Sequence, residues 1–238
     1  MGPLGGSFLL DHDLSDGSEG QAHQLLIGIT MTIILHHLEN SRSQRIIWLL
    51  EELGLPYEIK RYERDPKTQK APDSLKAIHP LGKSPMIEDD GEVIIETAVI
   101  AEYLVEKAGG KLGAPKDARS ARLYNQYLHF AEGSMMPPLY GLLVVGRLGL
   151  LGLPARKPVA KMTTDLLVWL ETELADRNYF AGDELTAADI MMSFPLEACQ
   201  SRAGLDEHYP NLMAFLERIH ARPQYQTALE KGGPYAYA

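Results

Sequence analysis

One stretch, HPLGKSPMIEDDGEVIIET from His79 to Thr97, dictates more local structure than any other part of the chain. Proline directly after Ser84 fixes φ at Pro85 and removes a backbone donor, and a cis Ser84–Pro85 bond becomes available at about 0.5–1 kcal/mol. A cis bond there turns the Ser84 N–H and C=O outward. Met86 and Ile87 read as an apolar strand, Asp89-Asp90-Gly91 as a hairpin turn, and Val93 to Ile95 as the return strand. Glu96 and Thr97 fall where that strand hands over to a helix. Backbone N–H groups at a helix start attract a carboxylate, and a carboxylate side chain attracts an ammonium, so Glu96-Thr97 suits both charges of an amino-acid head group. With the outward Ser84 backbone opposite, the segment reads as a grip for a small peptide.

The 238 residues suffice for one large or two modest domains, at roughly 100–200 residues each, and the 45% hydrophobic content is that of an ordinary soluble globule. A net charge of −9 argues against a nucleic-acid partner, which needs a basic face to displace counterions from phosphates. Any anionic ligand must be held by local basic residues. The single cysteine, Cys199, excludes an intramolecular disulfide and a cysteine-only metal cage, and its expected role is core packing. His36 and His37 have no metal-ligand partner at helix spacing and are expected to decorate the end of a strand.

Residues 1–30, rich in Gly, Ser and Asp without a sustained period, read as a flexible extension, either a native leader or an added segment, with Met31 an alternative start. No Lys or Arg precedes Arg42, so neither a secretory signal nor an organelle presequence is expected there, and the cytoplasm is the expected location. The apolar run Leu25 to Leu35 is far short of the ~20 residues that span a bilayer, and no membrane partner is expected.

Thr32 to Leu35 give a buried-strand signal, Ile46, Leu49, Leu50 and Leu53 recur at helical spacing until Gly54 and Pro56 stop them, and Tyr57 to Tyr62 return as a strand. A polar stretch leads to the hairpin, then to a helix from about Ala98 to Lys107. Gly109, Gly110, Gly113 and Pro115 break the chain, after which only helical patterns remain. Leu123, Tyr127, Phe130 and Ala131 form one apolar stripe; Leu166, Leu167, Leu170 and Leu174 form another beside Trp169. Thr186 and Asp189 have capping-box spacing, with Leu185 and Ile190 placed as a staple.

These motifs resemble the glutathione transferases. The family's proline-glycine-basic-hydrophobic-proline turn and following acid-serine pair match His79 to Thr97, with Glu96-Thr97 keeping the hydroxyl. NSRSQRIIWLLEELGLPYE (Asn40 to Glu58) and FAGDELTAADI (Phe180 to Ile190) extend the likeness over roughly residues 31–225. The resemblance implies an α/β thioredoxin-like N-terminal domain of order β-α-β-α-β-β-α over residues 31–110, a linker at 111–117, and an all-α domain over 118–238. It implies glutathione as co-substrate with no tightly bound cofactor, a small hydrophobic electrophile as the other partner, and a homodimer. Tyr103, Leu104, Leu123 and Tyr124 would supply apolar residues at the dimer axis.

Position by position, the resemblance gives the cysteinyl backbone of glutathione to Ser84, the turn to Pro85, the γ-glutamyl head to Glu96 and Thr97, and the glycine carboxylate to Lys83 or Lys70. A free thiol titrates near 8.5, so a transferase must stabilise the thiolate; a downward shift of about two units, roughly 2.7 kcal/mol, suffices. Asn40, Ser41 and Ser43 compete for that task in the turn before the first helix. The likeness to the serine-type bacterial and fungal branch, whose serine lies four residues before an arginine, selects Ser41 through Arg45. An amide N–H of Asn40 serves as well, and Ser41 or Ser43 is alternatively a plain helix cap. No cysteine occupies this turn, which disfavours a glutaredoxin-like thiol transferase. The electrophile is expected between the domains, against Met135 to Tyr140, with Tyr140 as a contact and Tyr235 and Tyr237 closing over it. Peroxide reduction or ether cleavage on the same site, and a noncatalytic binding protein of this fold, are the alternatives.

Overall fold

A computed structural model describes residues 32–237; the extension expected over residues 1–30, with Met31, lies outside them. The first half runs β1 (Ile33–Leu38), α1 (Ser43–Leu53), β2 (Tyr57–Tyr62), a 3-10 turn (Asp73–Ala77), β3 (Met86–Asp89), β4 (Glu92–Ile95) and α2 (Thr97–Lys107). Apolar Ile46, Leu49, Leu50 and Leu53 are all buried, and Gly54 ends α1 at φ 74° with its N–H on the Leu50 carbonyl. That left-handed position suits glycine because a Cβ is penalised there. The hairpin turns through Asp90 at φ 50° and Gly91 at φ 81°, the two left-handed residues of a type I′ turn, whose twist matches that of the strands.

The four strands lie in the order β2-β1-β3-β4, β1 parallel to β2 and antiparallel to β3. β1 is an inner strand and reads as a near-continuous buried run instead of an alternating one. His36 and His37 are therefore core residues and not decoration. His36 bonds Tyr62 Oη at 2.8 Å and Glu88 at 2.6 Å, across to both neighbouring strands. Between β2 and β3 the expected helix is only the 3-10 turn. Pro66 and Pro72 interrupt this polar segment, and Leu75 is the one side chain of the turn that is buried.

After the glycine break the chain is helical: α3 (Ala118–Phe130), a π turn (Ala131–Met135), α4 (Met136–Arg147), a 3-10 turn (Gly149–Gly152), α5 (Leu153–Glu173), α6 (Ala187–Arg202), α7 (Pro210–His220) and α8 (Pro223–Gly232). Asp117 caps α3 by accepting from Ser120 N at 2.9 Å. The Thr186/Asp189 capping box is formed, and Asp189 also accepts the Phe180 N–H at 2.7 Å; burial pushes its carboxyl up to about 6. Both apolar stripes enter the core, with Leu123, Phe130, Leu166 and Trp169 at its edge. Cys199 is buried among them and its thiol is pushed up to about 12 by burial. The architecture is a thioredoxin-like half followed by a helical half. α1 packs against the sheet, α2, α6 and α8. Of the residues expected at a dimer axis, Leu104 and Tyr124 are buried in the chain's own core, and Tyr103 donates its hydroxyl to Asp89 at 2.8 Å. No described helix is long and apolar enough to cross a membrane.

Candidate active site

The β1–α1 turn, the cis-proline turn and the start of α2 meet around a pocket of about 270 Å³. Lys83, Ser84 and Pro85 form one side; Glu96 and Thr97 form another; Arg42 from the β1–α1 turn and Glu132 from the π turn complete it. The Ser84–Pro85 bond is cis. Ser84 Oγ donates to the His36 carbonyl at 2.8 Å and accepts the Leu38 N–H at 3.2 Å, which bolts the turn to β1. Among the described residues the Ser84 N–H and C=O have no backbone partner. Glu96, exposed, stands just before α2 at φ 69°. A non-glycine residue held there is strained by about 1–3 kcal/mol, a pattern concentrated at functional sites. Its carboxylate makes no ion pair among the described residues. A larger hollow of about 530 Å³ near Gly54–Tyr57 is open, and its Glu51 and Lys231 pair with each other at 2.6 Å, leaving those charges satisfied without a ligand.

The turn before α1 holds a chain of hydroxyls. His37 Nε2–H donates to the Gly232 carbonyl at 3.0 Å, so Nδ1 is free to accept from Ser43 Oγ–H at 2.8 Å. Ser43 Oγ then accepts from Ser41 Oγ–H at 2.8 Å. In this arrangement the Ser41 proton points inward at Ser43. Ser41 Oγ also accepts the backbone N–H of Ser43, the first of α1, at 3.3 Å, so a capping bond from Ser41 stands beside the hydroxyl chain, while Arg42, directly before the helix, makes no side-chain cap bond.

Burial lowers His37 from 6.5 to about 4, the bond to Gly232 opposing only in part. An unfolded chain takes up this proton near 6.5 and the folded chain only near 4, so the contribution to stability is full above 6.5 and lost as pH falls through 4. The loss is about 3 kcal/mol. Urea unfolding across this range should show that fall, and His37→Gln should flatten it; equal slopes would remove His37 from the account.

Of the residues singled out in sequence, Lys83, Ser84, Pro85, Glu96 and Thr97 line the one pocket. Ser41 and Asn40 stand outside its wall, although Arg42 beside them is in it; the Asn40 Oδ1 instead accepts the Ala236 N–H at 2.8 Å. Lys70 is exposed on the loop after β2 and is not among the residues lining the pocket. Met135 and Leu139 are in the core, and Tyr140 is 63% exposed. Tyr235 bonds buried Glu197, and Tyr237 accepts from Arg202 at 2.6 Å, so the tail lies over α6. Sequence reasoning passed over Arg42, although it stood between two serines already under discussion. It also passed over Glu132, for which no local signal exists: its place depends on Arg45 and on Arg42, whose Nε lies 3.0 Å from it.

Residues 31–106 match the profile of the glutathione S-transferase N-terminal domain, and residues 157–223 that of the C-terminal domain. The chain is 38% identical to glutathione S-transferase 3 of Schizosaccharomyces pombe, over 84% of this chain and 87% of that one. It is 33% identical to glutathione S-transferase 1 of Saccharomyces cerevisiae, over 84% and 94%. Among solved structures, a glutathione S-transferase from Actinobacillus pleuropneumoniae superposes with a TM-score of 0.78 at 32% identity, covering 87% of this chain and 95% of the other. Both halves of the fold thus agree with one lineage, and the chain belongs to the glutathione S-transferase family.

Proposed function

We propose that this glutathione transferase holds glutathione in the pocket between the Lys83–Pro85 turn and the Glu96–Thr97 junction, and conjugates its thiolate to small apolar electrophiles. The observation that carries the reading is an unpaired carboxylate, Glu96, at the start of a helix, facing the same pocket as a turn whose Ser84 backbone is open. The ammonium of the γ-glutamyl head goes to Glu96 and its carboxylate to Thr97 and the α2 N-terminus. The Ser84 backbone pairs with the cysteinyl unit, held by Pro85. Lys83 takes the glycine carboxylate in preference to Lys70, which does not line the pocket, and Arg42 adds a second cation. Ser41 is the proposed thiolate donor, with Asn40 the rival. Tyr140, exposed on α4 beyond Glu132, is the proposed contact for the electrophile. Catalysis then consists of thiolate stabilisation and positioning.

Steady-state rates with a chloro-nitro aromatic, an organic hydroperoxide and an aryl ether test this directly. Conjugation of the aromatic is expected to dominate. Dominant peroxide or ether turnover would replace it with the corresponding reaction, and no glutathione-dependent turnover would mark a binding protein. We also propose a cytoplasmic homodimer; with Leu104 and Tyr124 inside the core, Tyr103 and Leu123 are the remaining candidates for its contact. Light scattering at micromolar concentration should give about twice the 26.4 kDa chain mass, whereas an active 26.4 kDa species would remove the dimer.

A further inference from the structure

Beyond Glu132 the charge pattern changes. From Gly133 to Thr164 there is no aspartate or glutamate, while Arg147, Arg156, Lys157 and Lys161 are all basic, in a chain of net charge −9. This segment builds α4, the 3-10 turn and the start of α5. At the tip Leu148, Leu150, Leu151 and Leu153 are exposed, Leu150 and Leu151 by 84% and 85%. Single exposed leucines are ordinary; four on one turn form a patch that calls for a partner. The turn is tightly packed: Gly152 is buried, and a Cβ on it would lie 2.1 Å from the Val145 carbonyl oxygen. The two arms therefore touch and leave the leucines outside. Lys161 pairs with Asp165 at 2.7 Å, but among the described residues Arg147, Arg156 and Lys157 are exposed and make no ion pair.

We infer that the α4–α5 tip docks on an anionic bilayer surface, its leucines entering the headgroup boundary while Arg147, Arg156 and Lys157 meet the lipid phosphates. Exposed apolar side chains flanked along the chain by exposed, unpaired cations complement such a surface in both respects. A second copy of the chain fits less well, since an isologous contact would set like charges against each other. Nucleic acid would leave the leucines without a role. The expectation of no membrane partner rested on the lack of a spanning segment, and surface docking requires none. α4 runs from the π turn that carries Glu132 to the tip, a rise of roughly 20 Å at about 1.5 Å per residue, so docking brings the pocket near electrophiles dissolved in the leaflet.

The test is sedimentation of the full chain with vesicles of phosphatidylcholine alone and of phosphatidylcholine with phosphatidylserine. Binding should require phosphatidylserine and weaken with added salt. Leu150→Ser with Leu151→Ser, and separately Arg156→Glu with Lys157→Glu, should each reduce it by about tenfold or more, given about fivefold per basic residue at such a surface. Conjugation of a water-soluble electrophile should be unchanged in both variants. The inference is overturned by wild-type protein that ignores both vesicles, or by variants that bind undiminished. It is equally overturned if the leucine variant halves the mass seen by light scattering while vesicle binding persists, which would make the tip a contact between copies.

Discussion

Replacing Arg45 with methionine should lower the unfolding free energy by about 3–5 kcal/mol, the largest single effect expected in this chain. Helix α6 contains Pro195, which has no N–H to give to the carbonyl four residues back, at Met191. Arg45 Nη1 supplies that hydrogen bond at 2.6 Å, from α1 into α6. Its Nη2 bonds Glu132, and the guanidinium lies 5.3 Å from the Phe194 ring centroid. The side chain is fully buried, so one cation satisfies a proline-orphaned carbonyl, a carboxylate and an aromatic face between the two halves of the fold. Methionine keeps much of the volume and none of these bonds. Glu132 retains Arg42 and some exposure to water, which sets the loss toward the lower end of the range. Urea titration followed by circular dichroism measures the change; a loss below about 1 kcal/mol would show that the carbonyl and carboxylate find other partners.

Ser41→Ala should lower kcat at neutral pH by about 10–100-fold and leave the KM for glutathione within a few-fold. A charge-assisted hydrogen bond to the thiolate contributes about 1.5–3 kcal/mol, and each 1.4 kcal/mol is tenfold in rate. The apparent pKa of bound glutathione should rise correspondingly, moving the rate profile to higher pH. Ser41 is held by Ser43, itself bonded to His37, so the variant removes the outermost hydroxyl of the chain together with the acceptor of the Ser43 N–H, and keeps the Ser43–His37 bond. Because the backbone turn is retained, affinity is a control: a fall in affinity with an unchanged profile would assign Ser41 a structural role and pass the thiolate to Asn40 or a backbone N–H.

Local chemistry carried much of the fold into the sequence. The hairpin, the Gly54 stop and the capping box are short-range devices, and each stands in the structure where turn and cap residues place it. The five pocket residues between Lys83 and Thr97 belong to one contiguous segment, so their proximity was legible too. What escaped depends on distance along the chain. The histidines of β1 are buried because β1 became an inner strand, with strands on both sides of it. Glu132 joins the pocket through a π turn and two arginines some ninety positions earlier, and no window of sequence contains both. Met135 and Leu139 looked like a substrate wall because apolar residues of a core and of a pocket are alike in sequence.

The most direct test of the central claim is calorimetric titration of glutathione into the wild type and Glu96→Gln. Glu96 is the one acid of the pocket without an ion pair among the described residues, and loss of its charge removes the proposed partner of the γ-glutamyl ammonium. A charge-assisted bond of about 1.5–3 kcal/mol corresponds to binding weakened by about tenfold or more. Saturable wild-type binding that weakens by that factor in the variant is the predicted result; equal affinity in the two proteins would contradict it and move glutathione out of this pocket.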